Sequence, residues 1–274
     1  MSLLLCPICG APLSREERAY RCPIGHSYDL AREGYVHLLP ANRKHSRDPG
    51  DNREMAAART RFLEGGWYSH LLEALCRLAA EHAGPDAVFL DAGCGEGYYT
   101  AGIAGALNAA GKLSAAAGFD LSKHALKKAA RRTRLAEFAV ASVYHLPVAE
   151  SCADLLLDCF APLAAEEYRR ALRPGGTFLY VVPAPEHLIE MKEILYDKTY
   201  ENPDQRIEYP GFRYEAVVPV RRVLHLTDAS AIQDLLGMTP YAWKTGRAGL
   251  DRLRAVDRLD VTAAFRIHVF RREG

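Results

Sequence analysis

The chain has 274 residues, enough for a catalytic domain of ordinary size with a small addition, since domains cluster near about 100 to 200 residues. Hydrophobic residues at 49% and charged residues at 25% exclude a largely disordered chain, and a formal net charge of +1 excludes a global pull toward nucleic acid, so any basic surface is local. No apolar run approaches the ~18 residues of a membrane span, and the stretch from Met1 to Cys6 lacks the length and basic flank of a secretory leader, which points to a cytoplasmic protein with no membrane partner.

The first predicted element is a metal knuckle over residues 1–35. Cys6, Cys9, Cys22 and His26 fall in the pattern C-x2-C-x12-C-x3-H. Two close ligand pairs separated by a loop let two tight turns close on one tetrahedral ion, and zinc favours this sulfur and nitrogen donor set. Pro7 and Pro23 restrict the turns while Gly10 and Gly25 free them. The segment has too few large apolar side chains for a core of its own, so the metal supplies folding energy, and a site with four protein ligands is structural. His37 is an alternative fourth ligand. Seven cysteines, three of them in metal spacing, argue against a disulfide framework, and Cys76, Cys152 and Cys159 in apolar runs read as core fillers.

Residues 36–66 read as a basic connector and a helix. Arg43, Lys44, His45 and Arg47 make a concentrated basic spot suited either to solvent or to phosphate, in a stretch that Pro49 and Gly50 keep from being helical. The helix runs from Asn52 to Leu63, capped by Asp51 or Asn52, with Met55, Arg59 and Phe62 at helical spacing.

Over residues 67–274 strand and helix signals alternate, the pattern of a parallel sheet covered by helices. Ala87 to Asp91 is the first buried strand, and the turn Gly93-Cys-Gly95-Glu-Gly97 leads into a helix near Tyr98, so backbone amides and a helix start face a ligand. A strand from Ala115 to Phe119 ends in Asp120, a carboxylate placed to accept ribose hydroxyls. The dinucleotide fingerprint G-x-G-x-x-G is not met, because Gly97 arrives one place early and Tyr98 takes the slot. Asp91 at the head of the loop suits an ammonium group better than a pyrophosphate, which favours S-adenosylmethionine.

Lys123, Lys127, Lys128, Arg131, Arg132 and Arg134 crowd the next helix, either as a solvated face or as an RNA-facing rim. Phe138 to Ser142 is the third strand, with Ser142 and Val143 at its end beside an adenine or simply packed. Asp154 to Asp158 is the fourth, and Cys159-Phe-Ala-Pro162 follows it at the carboxyl end of the sheet, where ligands bind in such folds. Leu172-Arg-Pro-Gly-Gly176 before the strand Thr177 to Val182 is the helix-to-strand turn typical of class I methyltransferases. Val217 to Leu226 and Ala263 to Phe270 supply the last strands, with a helix from Asp228 to Leu236 between them. The predicted fold is therefore α/β, a class I, Rossmann-like, S-adenosylmethionine-dependent methyltransferase with a small N-terminal zinc-binding module.

Cys6-Pro-x-Cys9, Cys22-Pro-x-x-His26, Glu33-Gly-Tyr-Val36, Leu38-Leu-Pro40, Ser46-Arg-Asp-Pro-Gly-Asp51, the loop from Asp91 to Tyr99 and Met238-Thr-Pro-Tyr-Ala-Trp243 together resemble the RlmA-type 23S ribosomal RNA guanine-N1-methyltransferases, over nearly the whole chain. The resemblance implies that a dimeric enzyme methylates N1 of one guanine in a hairpin loop of domain II of 23S rRNA, the zinc module serving RNA recognition. It also implies that the methyl donor touches Tyr68, Gly95, Glu96 and His187; composition alone nominates neither Tyr68 nor His187. The candidate donor-binding set is then Tyr68, Asp91, Gly93, Gly95, Glu96, Asp120, Ser142 and His187.

Displacement at a sulfonium methyl mainly requires alignment, and the proton on guanine N1 must leave as the bond forms. Asp158 and His187 are the titratable groups expected nearest, and the sequence chooses neither as base. Phe160 or Trp243 are candidate stacking partners for a base taken out of its helix. Two other readings stay open: a small-molecule acceptor with a purely structural zinc module, and a non-catalytic RNA-binding protein that retains the pocket.

Overall fold

The computed structural model describes residues 2–40, 50–204 and 207–274; the basic spot at Arg43, Lys44, His45 and Arg47 lies outside the described residues. Three short strands, β1 (Ser14–Arg15), β2 (Ala19–Arg21) and β3 (Ser27–Asp29), pair antiparallel around the cysteine turns. β4 (Tyr35–His37) leaves this small sheet for the edge of a larger one. α1 (Arg53–Glu64) is the helix expected after the connector. Its N-cap is Asn52, whose side-chain oxygen accepts the amides of Glu54 at 3.0 Å and Met55 at 2.9 Å, a contact worth about 1 kcal/mol.

The remainder alternates as α2 (Ser69–His82), β5 (Ala87–Ala92), α3 (Tyr98–Ala109), β6 (Leu113–Asp120), α4 (Lys123–Arg132), β7 (Glu137–Val140), β8 (Ala153–Cys159), α5 (Ala165–Ala171), β9 (Leu172–Pro183), α6 (Ile189–Leu195), β10 (Phe212–Leu226), α7 (Ala229–Gly237), α8 (Tyr241–Lys244), α9 (Arg247–Arg254) and β11 (Leu259–Arg272). The large sheet has the order β10-β11-β9-β8-β5-β6-β7-β4. Neighbours from β9 across to β4 are parallel, while β11 is antiparallel to both β9 and β10. From β5 the chain steps outward through β6 to β7, then returns to the other side of β5 for β8 and β9. That reversal opens a crevice at the carboxyl ends of the strands, where such folds bind ligands. β7 stops at Val140 rather than Ser142, and β9 begins at Leu172, within the stretch read as a turn.

Side-chain alternation along the strands builds a core on each face of the sheet. Phe89, Leu155, Leu157, Leu179 and Val181 face the layer containing α2, α3, α6 and α7. Leu90, Phe119, Leu156 and Phe178 face the other layer, to which the zinc module contributes Leu4, Cys6, Leu13, Tyr20 and Cys22. The module is also tied in by the Leu5 amide, which donates to the Pro147 carbonyl at 2.7 Å.

The basic run on α4 is more occupied than a solvated face. Lys128 donates to the Ala56 carbonyl at 3.2 Å and the Thr60 hydroxyl at 2.8 Å on α1. Arg131 pairs with Glu33 at 2.8 Å, and Arg132 reaches Glu64 at 2.9 Å and the Glu96 carbonyl at 3.2 Å. These residues fasten α4 to α1, to the approach to β4 and to the glycine loop.

Candidate functional site

A cavity of about 720 Å³ lies at the carboxyl ends of the parallel strands. All eight residues proposed for the donor, Tyr68, Asp91, Gly93, Gly95, Glu96, Asp120, Ser142 and His187, line it. The loop after β5 is shaped by its own hydrogen bonds: the amides of Gly93 and Cys94 both donate to the Phe119 carbonyl, at 2.8 and 2.9 Å. Gly93 has φ +81°, and a Cβ there would stand 2.3 Å from the Ala161 Cβ, so only glycine fits. Asp120 at the end of β6 accepts the Gly95 amide at 3.0 Å with one oxygen and the Ser122 amide at 2.7 Å with the other. This pins the glycine loop to the neighbouring strand.

Three carboxyl groups meet here. Burial pushes Asp91 up to about 7, against the Thr100 hydroxyl that donates to it at 2.5 Å and favours its charged form. Burial also raises Glu96 and Asp120 above the usual carboxylate range. Burial opposes three negative charges in one pocket, and a cationic ligand relieves them. Buried polar atoms without a protein partner belong to residues lining the same cavity: the hydroxyls of Tyr68 and Tyr99 and Oε1 of Glu96. Such orphans are expected where a ligand completes the hydrogen bonding. An acidic, glycine-walled pocket with unpaired acceptors fits S-adenosylmethionine, whose ammonium and sulfonium are both positive.

His187 lies just before α6 and its Nδ1 accepts the Ala264 amide at 3.2 Å. Burial first, and then the Lys192 charge, press its pKa down to about 3. With Nδ1 occupied as an acceptor, the neutral ring carries its proton on Nε2, so His187 donates and cannot serve as a base at neutral pH. Asp158 is pushed up to about 7 by burial, but its oxygens accept the Tyr168 hydroxyl at 2.8 Å and the Ala161 amide at 3.0 Å, and it is not among the cavity lining.

The structure adds walls that sequence reasoning did not nominate. Gly50, Asp51 and Arg59 line the cavity, with Arg59 ion-paired to Asp51 and donating to the Met238 carbonyl at 3.3 Å. Ser122 donates to the Asp51 carbonyl at 2.6 Å, which holds this segment over the end of β6. Met238, Thr239, Pro240 and Tyr241 line the cavity as well, Met238 in contact with Arg59. Cys159, expected as core, is half-buried and lines the cavity. Phe160 lines it too, while Trp243 does not.

At the N-terminal knuckle, one ligand atom each from Cys6, Cys9, Cys22 and His26 lies within 4.8 Å of the others. Sγ of Cys9 and Cys22 are 3.7 Å apart, and Nδ1 of His26 is 3.3 Å from Cys22 Sγ and 3.5 Å from Cys6 Sγ. Those separations fit a tetrahedron with zinc–sulfur bonds of about 2.3 Å and zinc–nitrogen bonds of about 2.0 Å. His37 is not in the cluster. Burial works against ionisation of Cys6, but the Tyr28 hydroxyl 3.0 Å away and the amides of Cys9 and Ile8 outweigh it and bring the thiol down to about 6. That is the thiolate form a metal requires.

Comparison with known proteins agrees with this geometry. A zinc-ribbon family model described as "RlmA, N-terminal" matches residues 4–47, and one described as "Methyltransferase domain" matches residues 84–216. A relative from Micromonospora griseorubida, named as a 23S rRNA (guanine-N(1)-)-methyltransferase, is 37% identical over 98% of this chain and 97% of its own length. A Streptomyces fradiae relative named 23S rRNA (guanine(748)-N(1))-methyltransferase is 37% identical over 88% of this chain and 85% of its own. Among solved structures, a methyltransferase of Haloferax volcanii in complex with the Trm112 activator aligns with TM-score 0.51 at 20% identity, covering 83% of this chain and 100% of that one. That last likeness concerns the fold alone.

Proposed function

The chain belongs to the RlmA-type family of 23S ribosomal RNA (guanine-N1)-methyltransferases, and from that premise we propose that it transfers the methyl group of S-adenosylmethionine to N1 of one guanine in the domain II hairpin loop of 23S rRNA. The observation that carries this reading is the pairing of a four-ligand zinc knuckle with an acidic glycine-loop cavity in one packed structure. The donor supplies an activated methyl group on sulfur, so the residues of the chain have to bind, orient and exclude water.

In this reading Asp120 faces the ribose, Ser142 borders the adenine, and Asp91 and Glu96 face the cationic end of the donor. Gly93 and Gly95 let the backbone approach, and Tyr68 and His187 close the far wall with a hydroxyl and an Nε2–H. Cys6, Cys9, Cys22 and His26 hold the zinc. Residues 1–35 serve as the RNA-recognition module, residues 36–66 as the linker and wall helix, and residues 67–274 as the catalytic domain. The enzyme acts in the cytoplasm, where its rRNA substrate is, and works as a homodimer.

Incubation of the protein with labelled S-adenosylmethionine and unmodified 23S rRNA tests the reaction. Label recovered as N1-methylguanine supports the reading, and RNA free of label refutes it. A single symmetric peak at twice the chain mass in light scattering tests the dimer.

A further inference from the structure

The sheet order divides the cavity. β5, β6 and β7 hold the glycine loop, Asp120 and Ser142, so the adenosyl part of the donor lies in that half, and the ends of β8 and β9 wall the other, with His187 beyond β9. Guanine N1 lies on the pairing edge of the base and reaches a donor only after the base leaves its stack. The second half must therefore receive a flat, polar-edged ring.

Three exposed aromatic rings line the cavity: Tyr144 at 52%, Phe160 at 47% and Tyr200 at 48% exposure. Tyr144 follows Ser142 and Val143 at the adenosine end. Phe160 and Tyr200 belong to the other half. Phe160 directly follows β8 and holds φ +65°, a left-handed backbone that disfavours an aromatic residue by about 1–2 kcal/mol, and strain of this kind concentrates at functional sites. Its ring is 5.6 Å from that of Phe265, which packs against His187 at 4.7 Å.

Tyr200 sits on a loop that a buried lysine holds in place. The Lys192 ammonium donates to the Tyr200 carbonyl and to Asn202 Oδ1, both at 3.2 Å, and lies 4.9 Å over the Tyr200 ring. Asn202 in turn donates its side-chain amide to the Ala184 carbonyl at 2.8 Å and its backbone amide to the Pro185 carbonyl at 3.0 Å. Lys192 is fully buried, yet these hydrogen bonds go to neutral oxygens. A buried ammonium without an anionic partner is costly, and here its hydrogen bonds and the Tyr200 ring offset that cost, so the lysine and the loop hold each other in place.

We propose that Phe160 and Tyr200 form an aromatic clamp for the extruded guanine, and that Lys192 is the positioning residue that fixes the Tyr200 side of it. The clamp rests on the guanine-N1 reading above and names its acceptor subsite. Stacking supplies sequence-tolerant affinity, and the two rings orient N1 toward the donor half.

The test measures KM for an unmodified domain II hairpin, kcat, and the calorimetric Kd for S-adenosylmethionine in wild type, Tyr200→Leu, Tyr200→Phe, Phe160→Leu and Lys192→Met. Loss of one ring raises KM for RNA by about tenfold or more, Tyr200→Phe restores it, and Lys192→Met raises KM while leaving kcat within about twofold. The Kd for the donor stays at the wild-type value in every variant. Tyr200→Leu alters an exposed side chain and keeps the test sharp if Phe160→Leu does not fold. Wild-type methylation of guanine N1 with an unchanged KM in Tyr200→Leu overturns the clamp alone; a wild-type enzyme that leaves guanine N1 unlabelled overturns the functional reading and the clamp with it.

Discussion

The Tyr20 hydroxyl donates to Glu137 Oε1 across 2.7 Å, joining the zinc knuckle to the first residue of β7. The other oxygen of Glu137 accepts the Leu3 amide at 2.9 Å. β7 leads directly into Ser142 and Val143 on the cavity wall, so the metal site and the donor pocket share one support. Cys22→Ser removes one of four ligands from a segment held both by the metal and by the packing of Leu4, Leu13 and Tyr20 against the sheet. Elemental analysis of wild type should give about one zinc per chain, and the variant should lose metal, show reduced near-UV ellipticity and bind S-adenosylmethionine several-fold more weakly. A variant with full metal content and full structure contradicts the site.

Gly95 has φ +54°, and a Cβ there would point toward Arg59, whose Nη1 would lie 4.0 Å away. An arginine placed at this position meets both an unfavourable backbone and an existing cation. Calorimetry should show Gly95→Arg weakening the donor by about tenfold or more, equivalent to about 1.4 kcal/mol. Gly93→Ala should do at least as much through its clash with Ala161. Wild-type affinity in both variants rules the loop out as the donor site.

The affinity for S-adenosylmethionine should depend on pH through Asp91. With its carboxyl pushed up to about 7, the pocket below that pH carries a proton that a cationic ligand must displace. Binding therefore strengthens as pH rises through 7 and weakens by at most about tenfold per unit below it. Asp91→Asn should bind more weakly at pH 8 and show a flattened profile. A profile unchanged by the substitution removes Asp91 from the cationic end of the pocket.

His187 should support binding without acting as a base. Its pKa of about 3 and the bond from the Ala264 amide keep the ring neutral, with the proton on Nε2, across the working range. His187→Gln retains an acceptor for that amide and should lower kcat/KM without moving the apparent pKa values of its pH profile. His187→Ala leaves the buried Ala264 amide of β11 unpaired and should reduce stability by about 1–3 kcal/mol in urea unfolding. Disappearance of a titration near neutral pH in His187→Gln contradicts this assignment.

Much of the fold was legible because it is written in repeated local chemistry. The strands at Ala87–Ala92 and Ala153–Cys159 are mostly apolar, broken only by Asp91, Asp154 and Asp158, and buried on both faces, the pattern typical of a parallel sheet covered by helices. The four metal ligands follow from two turns of fixed spacing, and the glycine loop with Asp120 follows from one βαβ unit. The remainder depends on distant contacts that leave no local mark. β4 is three residues long, too short to show a strand period, and only its pairing with β7 makes it part of the large sheet. Arg59 reads as one polar position on an amphipathic helix, and its place over the cavity comes from Asp51 and Met238. Tyr200 and Asn202 lie in a loop without periodicity, located by a lysine buried on α6.

Reverse transcription across domain II of 23S rRNA from otherwise identical strains with and without this protein tests the central claim most directly. N1 methylation blocks Watson–Crick pairing, so the account predicts one protein-dependent stop immediately 3′ to a guanine of the hairpin loop, and its loss when Asp91 and Gly95 are substituted together. Identical stop patterns in the two strains would contradict it.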